Sequence, residues 1–358
     1  MTRAAEARID LPALQSNLQR VRQLAPSSRV MAIIKANGYG HGMLRVAKGL
    51  HAADAFGVAS IDEAIALREG GISQPVLLLE GIFEVAELEL VCRHHLAIVV
   101  HHGFHIDILE NSKVPAPVPV WMKIDTGMHR LGFPPQAVAK AWQRLKSCRN
   151  VAMPIRFMTH LADADNRHDK MTQQQIDFFD STISGFEGER SIANSAAILG
   201  WPQSRVHWVR PGIMLYGVSP FNDSIGQDEG LQPVMTLTSK LIAINNFRKG
   251  HKVGYGGDWT CPEDMPVGVV AIGYGDGYPR VISADTPVVI NGQRVPIIGR
   301  VSMDMITVDL RHLPSAKVGD TVMLWGKGLP VEEIARCANT ISYELLCRVT
   351  QRVRFIEN

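Results

Sequence analysis

Cysteine is scarce and unpatterned in this 358-residue chain: Cys92, Cys148, Cys261, Cys337 and Cys347 are odd in number, scattered and never spaced as Cys-x-x-Cys. A disulfide framework and a zinc site are therefore not expected, and a reducing cytoplasm is the simplest setting. Charge of one sign is also lacking. Lys and Arg total 37 against 35 Asp and Glu, a formal balance of +2 with no run of either sign, so the concentrated basic face that nucleic acid requires is missing. No apolar stretch approaches the roughly 20 residues of a membrane helix. The opening residues Arg3, Glu6, Arg8 and Asp10 are charged with no apolar core behind them, which argues against a signal peptide. His94, His95, His101, His102 and His105 crowd one stretch but lack Glu or Cys at ligand spacing. On a strand candidate at 96–101, His101 and His102 would point to opposite faces, so no metal is expected there.

What is present is an alternation. Apolar strand candidates fall at 29–35, 55–60, 75–80, 96–101, 118–125, 155–161, 190–195 and 206–212, and amphipathic helical stretches such as 61–69, 84–92, 135–145 and 172–184 separate most of them. About eight such units over roughly 200 residues fit a closed (β/α)₈ barrel better than an open doubly wound sheet. From about Leu231 the texture changes to β-rich segments separated by glycine and proline, with Asn291-Gly292 as a strong hairpin signal. The expected organisation is an opening strand within 1–10, a barrel over 11–230 and a mainly β domain over 231–358. The polar, glycine-bearing stretch 218–230 is the expected linker, and the opening strand is a candidate to pair with the second domain.

A barrel places its chemistry at the carboxyl ends of its strands. Those ends carry Lys35, Asp125 to Arg130, His160, Asn194-Ser195 and Arg210-Pro211-Gly212-Ile213. Lys35 closes the apolar run Val30-Met31-Ala32-Ile33-Ile34 and precedes Ala36-Asn37-Gly38-Tyr39-Gly40-His41-Gly42. A lysine at the end of a buried strand is desolvated, which disfavours its ammonium and leaves an amine able to condense with a carbonyl. The glycines and the Tyr39 hydroxyl could let backbone N–H groups approach a phosphate, although no Gly-Lys-Ser/Thr closes the stretch as in a P-loop. Arg210 before a glycine turn could open a second anion-binding segment. Arg130 offers a planar fork suited to a carboxylate or phenolate.

The Lys35 stretch resembles the pyridoxal-phosphate lysine motif of the alanine racemases, and the resemblance extends over nearly the whole chain. Gly38 stands where alanine is usual in that family, and His129 where glycine is usual in Asp125-Thr126-Gly127-Met128-His129-Arg130-Leu131-Gly132. Neither change removes a group that does chemistry. The resemblance implies pyridoxal 5'-phosphate carried on Lys35 as a Schiff base, with Tyr39, Ser195, Gly212, Ile213 and Tyr343 at its phosphate and His160 against its ring. Arg210 would hydrogen-bond the pyridine nitrogen, leaving it largely unprotonated because arginine does not readily give up its proton. Arg130 would meet the 3-oxygen and the substrate carboxylate, steadied by a carbamylated Lys123.

In the second domain Tyr255 matches the second catalytic base and Met303 the residue whose N–H receives the substrate carboxylate; Tyr274 and Arg300 match residues near the entrance. These groups would arrive from the neighbouring subunit of a homodimer. The implied activity is interconversion of L-alanine and D-alanine in the cytoplasm, either supplying D-alanine for cell-wall peptidoglycan or degrading alanine. The alternatives are a pyridoxal-phosphate amino-acid decarboxylase of the same plan, a non-catalytic carrier of that cofactor and a broad-specificity racemase. Tyr255 and the Met303-Asp304 turn speak against the first. The second domain speaks against the carrier, and the missing export signal against the broad-specificity enzyme.

Overall fold

The computed structural model describes residues 3–358. The chain divides into two compact units: one of residues 15–215 with Ser219–Ser224, the other of residues 3–14, Tyr216–Val218 and Ile225–Asn358. The stretch expected as a linker thus alternates between the two.

The second unit holds β1 (Glu6–Ile9), inside the stretch 1–10 expected to carry an opening strand. The first unit is a closed barrel of eight parallel strands: β2 (Arg29–Ile33), β3 (Ala55–Val58), β4 (Val76–Leu78), β5 (Ala97–Val100), β6 (Val118–Lys123), β7 (Val151–Met158), β8 (Arg190–Ser191) and β9 (Trp208–Val209). The barrel closes through β2 and β9, with Arg29 opposite Trp208 and Val30 opposite Val209. Parallel strands in such a barrel are covered on both faces, which is why β3, β4 and most of β2 are continuous runs of buried residues.

Two expected strands are much shorter in the structure, each for a local reason. At 190–195 the ladder stops at Ser191 because Asn194 becomes a helix cap, its Oδ1 accepting the Ala197 N–H at 3.0 Å. At 206–212 it stops at Val209, ahead of Pro211, which has no N–H to donate, and Gly212. His101 and His102 lie beyond β5 rather than on it, and the His102 ring nitrogen Nδ1 accepts the Phe104 N–H at 3.3 Å to start the helix Gly103–Asn111. The opposite-face argument for those two histidines therefore fails. Among the described residues, no group of three or more His, Cys, Asp or Glu could hold a metal ion.

The second unit continues with β10 (Met235–Phe247), β11 (Lys252–Val253), β12 (Trp259–Thr260), β13 (Met265–Val270), β14 (Pro287–Ile290), β15 (Gln293–Ile298), β16 (Ile306–Asp309), β17 (Thr321–Trp325) and β18 (Arg354–Glu357). Its main sheet runs β13-β16-β15-β14-β17-β10-β1-β18, and β10 also pairs with β13, so hydrogen bonding passes round six strands and returns. Strand β1 runs antiparallel to β10 and parallel to β18. Asn291 and Gly292 form the two-residue turn between β14 and β15 with φ of 48° and 77°, the left-handed pair that a tight hairpin requires. Among the described residues no helix is long and apolar enough to cross a membrane.

Candidate active site

Lys35 lies two residues beyond β2 and is half-buried. The four residues after it, Ala36, Asn37, Gly38 and Tyr39, have φ of 53°, 54°, 64° and 51°, a turn of left-handed helix. Only glycine adopts that region freely; each other residue costs roughly 1–2 kcal/mol there. The turn is held by partners that absorb the strain. Both oxygens of Glu63 are engaged, accepting the Ala36 N–H at 2.7 Å and the Ala59 N–H at 2.8 Å. Asn37 accepts the Met43 N–H on its side chain and the Gly42 N–H on its carbonyl, each at 2.9 Å. Burial pushes the His41 imidazole down to about 4, so it is neutral and donates from Nδ1 to the Tyr39 carbonyl at 2.8 Å.

The turn brings Tyr39 back toward the last barrel strand. A Cβ on residue 212 would stand 2.5 Å from the Tyr39 hydroxyl, so a side chain there would push that oxygen out of its cradle. Ser195 Oγ accepts the Gly212 N–H at 2.8 Å and lies 3.4 Å from the Met214 nitrogen. The Gly212 N–H expected for a phosphate is thus taken up by Ser195. The hydroxyls of Tyr39 and Ser195 lie at this turn beside the Ile213 N–H, which donates to no acceptor among the described residues.

Arg210 is buried with no carboxylate against it. Its Nη1 donates to Ser191 Oγ at 2.6 Å, and its Nη2 donates to the carbonyls of Thr159 at 2.6 Å and Ile192 at 3.3 Å. Burial lowers this guanidinium to about 10, still cationic at neutral pH, and none of these bonds uses Nε. His160 Nδ1 lies 3.5 Å from Arg210 Nη2. Burial, followed by the nearby charges of Arg210, Lys123, Arg130 and Lys35, holds that imidazole well below its usual value and therefore neutral.

Lys123 is the more deeply buried lysine of this mouth, only 7% exposed, whereas Lys35 is half-buried. Burial first, then Arg210, Arg130 and Lys35, bring Lys123 down to about 8 against the opposing pull of Glu80. Arg130 is exposed at the end of a loop that Asp125 shapes by accepting the Gly127 and His129 N–H groups, each at 3.0 Å. The barrel thus brings together Lys35, Tyr39, Lys123, Arg130, His160, Ser195, Arg210, Gly212 and Ile213.

Several residues that hold this site were absent from the sequence reading. Ser191 and Thr159 seat Arg210, and Gln175 reaches the His160 carbonyl at 3.4 Å and Thr126 Oγ1 at 3.3 Å. Glu63 had a legible signal: Ser60-Ile61-Asp62-Glu63 is a capping-box pattern, and Ser60 Oγ accepts the Glu63 N–H at 3.4 Å.

The remaining expected residues belong to the second unit. Tyr255 sits between β11 and β12, flanked by Gly254, Gly256 and Gly257 at φ of 77°, 72° and 60°, and its side chain is 71% exposed. Arg300 pairs with Asp258 beside this turn. Met303 is 52% exposed, and its N–H donates to no acceptor among the described residues. Tyr274 is also exposed, and Tyr343 is half-buried in the first turn of the helix Ser342–Arg348.

Residues 9–220 match the family model for the alanine racemase N-terminal domain, and residues 234–357 match that for the alanine racemase C-terminal domain. The alanine racemase of Nitrosococcus oceani is 56% identical over 348 residues, covering 97% of this chain and 98% of its own. That of Vibrio parahaemolyticus is 54% identical over 351 residues, covering 98% of each chain. Among solved structures, the biosynthetic alanine racemase of Pseudomonas aeruginosa superimposes with a TM-score of 0.97 at 42% identity, covering 100% of both chains.

Proposed function

The chain belongs to the alanine racemase family and interconverts L-alanine and D-alanine; from that premise we propose that it does so with pyridoxal 5'-phosphate held on Lys35 and with Lys35 and Tyr255 as its two bases. The family uses this cofactor, and the barrel residues fit it. The Tyr39 hydroxyl over Gly212, the Ser195 hydroxyl and the unused Ile213 N–H form a donor set suited to a phosphate. Arg210, fixed through Nη1 and Nη2, keeps Nε for a pyridine nitrogen. The neutral His160 offers a flat face beside it.

When bound, this cofactor takes up the substrate amine and draws electron density from Cα, which acidifies that carbon's proton. The chain's own residues do the rest. Lys35 Nζ carries the α-proton of D-alanine, and the phenol oxygen of the partner subunit's Tyr255 carries that of L-alanine from the opposite face. Arg130 and the N–H of the partner subunit's Met303 hold the substrate carboxylate. Lys123 is carbamylated, which turns a cation among cations into an anion able to steady Arg130. The single observation that carries the shared site is the 71% exposure of Tyr255 on a turn of three glycines at positive φ, where its phenol is open to another surface. The physiological setting we assign is the cytoplasm, where the same chemistry serves D-alanine supply for peptidoglycan or the breakdown of alanine.

The test is α-proton exchange in deuterated water. Tyr255→Phe is expected to keep the visible absorbance of the bound cofactor while losing exchange from L-alanine by about two orders of magnitude or more. Exchange that survived unchanged would remove Tyr255 from the reaction.

A further inference from the structure

The turn that carries Met303 is gripped from behind by residues remote in sequence. Its consecutive carbonyls are all engaged: that of Ser302 accepts the Tyr274 N–H at 3.0 Å, that of Met303 the Gly275 N–H at 2.9 Å, and that of Asp304 the Arg3 Nη2–H at 3.0 Å. The same Arg3 guanidinium forks onto Asp276, Nε to Oδ1 and Nη2 to Oδ2, both at 2.5 Å. Asp276 is fully buried, and its Oδ2 also accepts the Gly273 N–H at 3.0 Å, closing the loop that supplies Tyr274 and Gly275. Arg352 completes the grip, paired with Asp304 and lying 3.5 Å from Asp276 Oδ1. A Cβ on Gly275 would stand 2.2 Å from Arg352 Nη1 and 3.0 Å from the Met303 carbonyl, so a side chain there would displace the Arg352 guanidinium from this grip.

A buried carboxylate met by a bidentate guanidinium is strongly directional. It fixes the carbonyl side of residues 302–304 and leaves the Met303 N–H unengaged on a turn that cannot rotate. The geometry points to Arg3 as a positioning residue for the racemisation: through Asp276 and the Asp304 carbonyl it holds the Met303 N–H in the orientation that receives the substrate carboxylate. This rests on the reading of that N–H as the carboxylate site. A segment at the start of the chain, outside every motif, then sets the affinity for alanine without touching it.

The experiment uses the cofactor-loaded protein and propionate, a carboxylate of alanine's size that cannot react. Arg3→Met is expected to raise the calorimetric Kd for propionate and the KM for both alanine isomers about tenfold while kcat changes little, the split expected when a ground-state contact is loosened. Arg3→Lys, which keeps the charge but loses the fork, should fall between, and Arg354→Ala, which breaks only the exposed pair with Glu6, should match the unmodified protein. Met303→Pro removes the N–H itself and serves as the reference. If Met303→Pro weakens propionate and Arg3→Met does not, the positioning role is overturned and the carboxylate site stands. If neither weakens it, the carboxylate site is overturned, and the positioning role falls with it.

Discussion

Lys123 shows how a single side chain is read differently with its surroundings in view. On sequence it is one lysine two positions before an aspartate; in the fold it is buried among Arg210, Arg130 and Lys35 and brought down to about 8. A lysine with an ordinary value near 10.5 is almost wholly protonated at neutral pH, whereas one near 8 exposes about a tenth of its population as free amine at pH 7. Only that neutral form adds to carbon dioxide. With ¹³C-bicarbonate the protein should therefore show an enriched carbamate resonance that is absent in Lys123→Gln and fades as the pH falls well below 8. A spectrum identical in the two proteins would remove the modification. The sign follows from the lowered value: acidification withdraws the free amine, and alkaline conditions restore it.

At the level of elements, the left-handed turn 36–39 is the feature most exposed to its support. Glu63 links the first amide of that turn to the amide of Ala59 beyond β3. Charge-assisted bonds to backbone N–H groups contribute about 1.5–3 kcal/mol. Glu63→Ala is expected to lower stability toward urea by an amount of that order and to slow the appearance of cofactor absorbance on reconstitution, with Glu63→Gln milder on both. Unchanged reconstitution would show that the turn keeps its shape unaided. The same turn marks where sequence reading stopped. The barrel alternation was legible because parallel strands covered on both faces are apolar runs, and the hairpin at Asn291-Gly292 because its conformation selects those two residues. Ala36 and Asn37 carry no such mark, since nothing in their side chains announces a positive φ that neighbours impose. Ser191 under Arg210 and Arg3 on Asp276 were illegible for a related reason: each is paired across the fold rather than along the chain.

For the whole molecule, the proposed site draws on two chains, and complementation follows from counting. A dimer of one Lys35→Ala chain and one Tyr255→Phe chain has one site with both defects and one with neither. Random exchange makes half the dimers hybrid, so two inactive preparations should recover about one quarter of the unmodified activity on mixing. Complete inactivity after exchange demonstrated by differential labelling would assign both bases to a single chain. The exposed Tyr255, Tyr274 and Met303 belong to the surface that such a partner would cover.

The basic side chains around His160 have one further consequence. Lys35, Lys123, Arg130 and Arg210 act together on that imidazole, and Glu80 is the carboxylate that acts on Lys123 in return. Like charges gathered at a barrel mouth repel, so the bare polypeptide must fold against its own electrostatics there. A multivalent anion entering that ring would relieve the repulsion as it binds, so the phosphate of the proposed cofactor would contribute to folding stability as well as serve as an anchor.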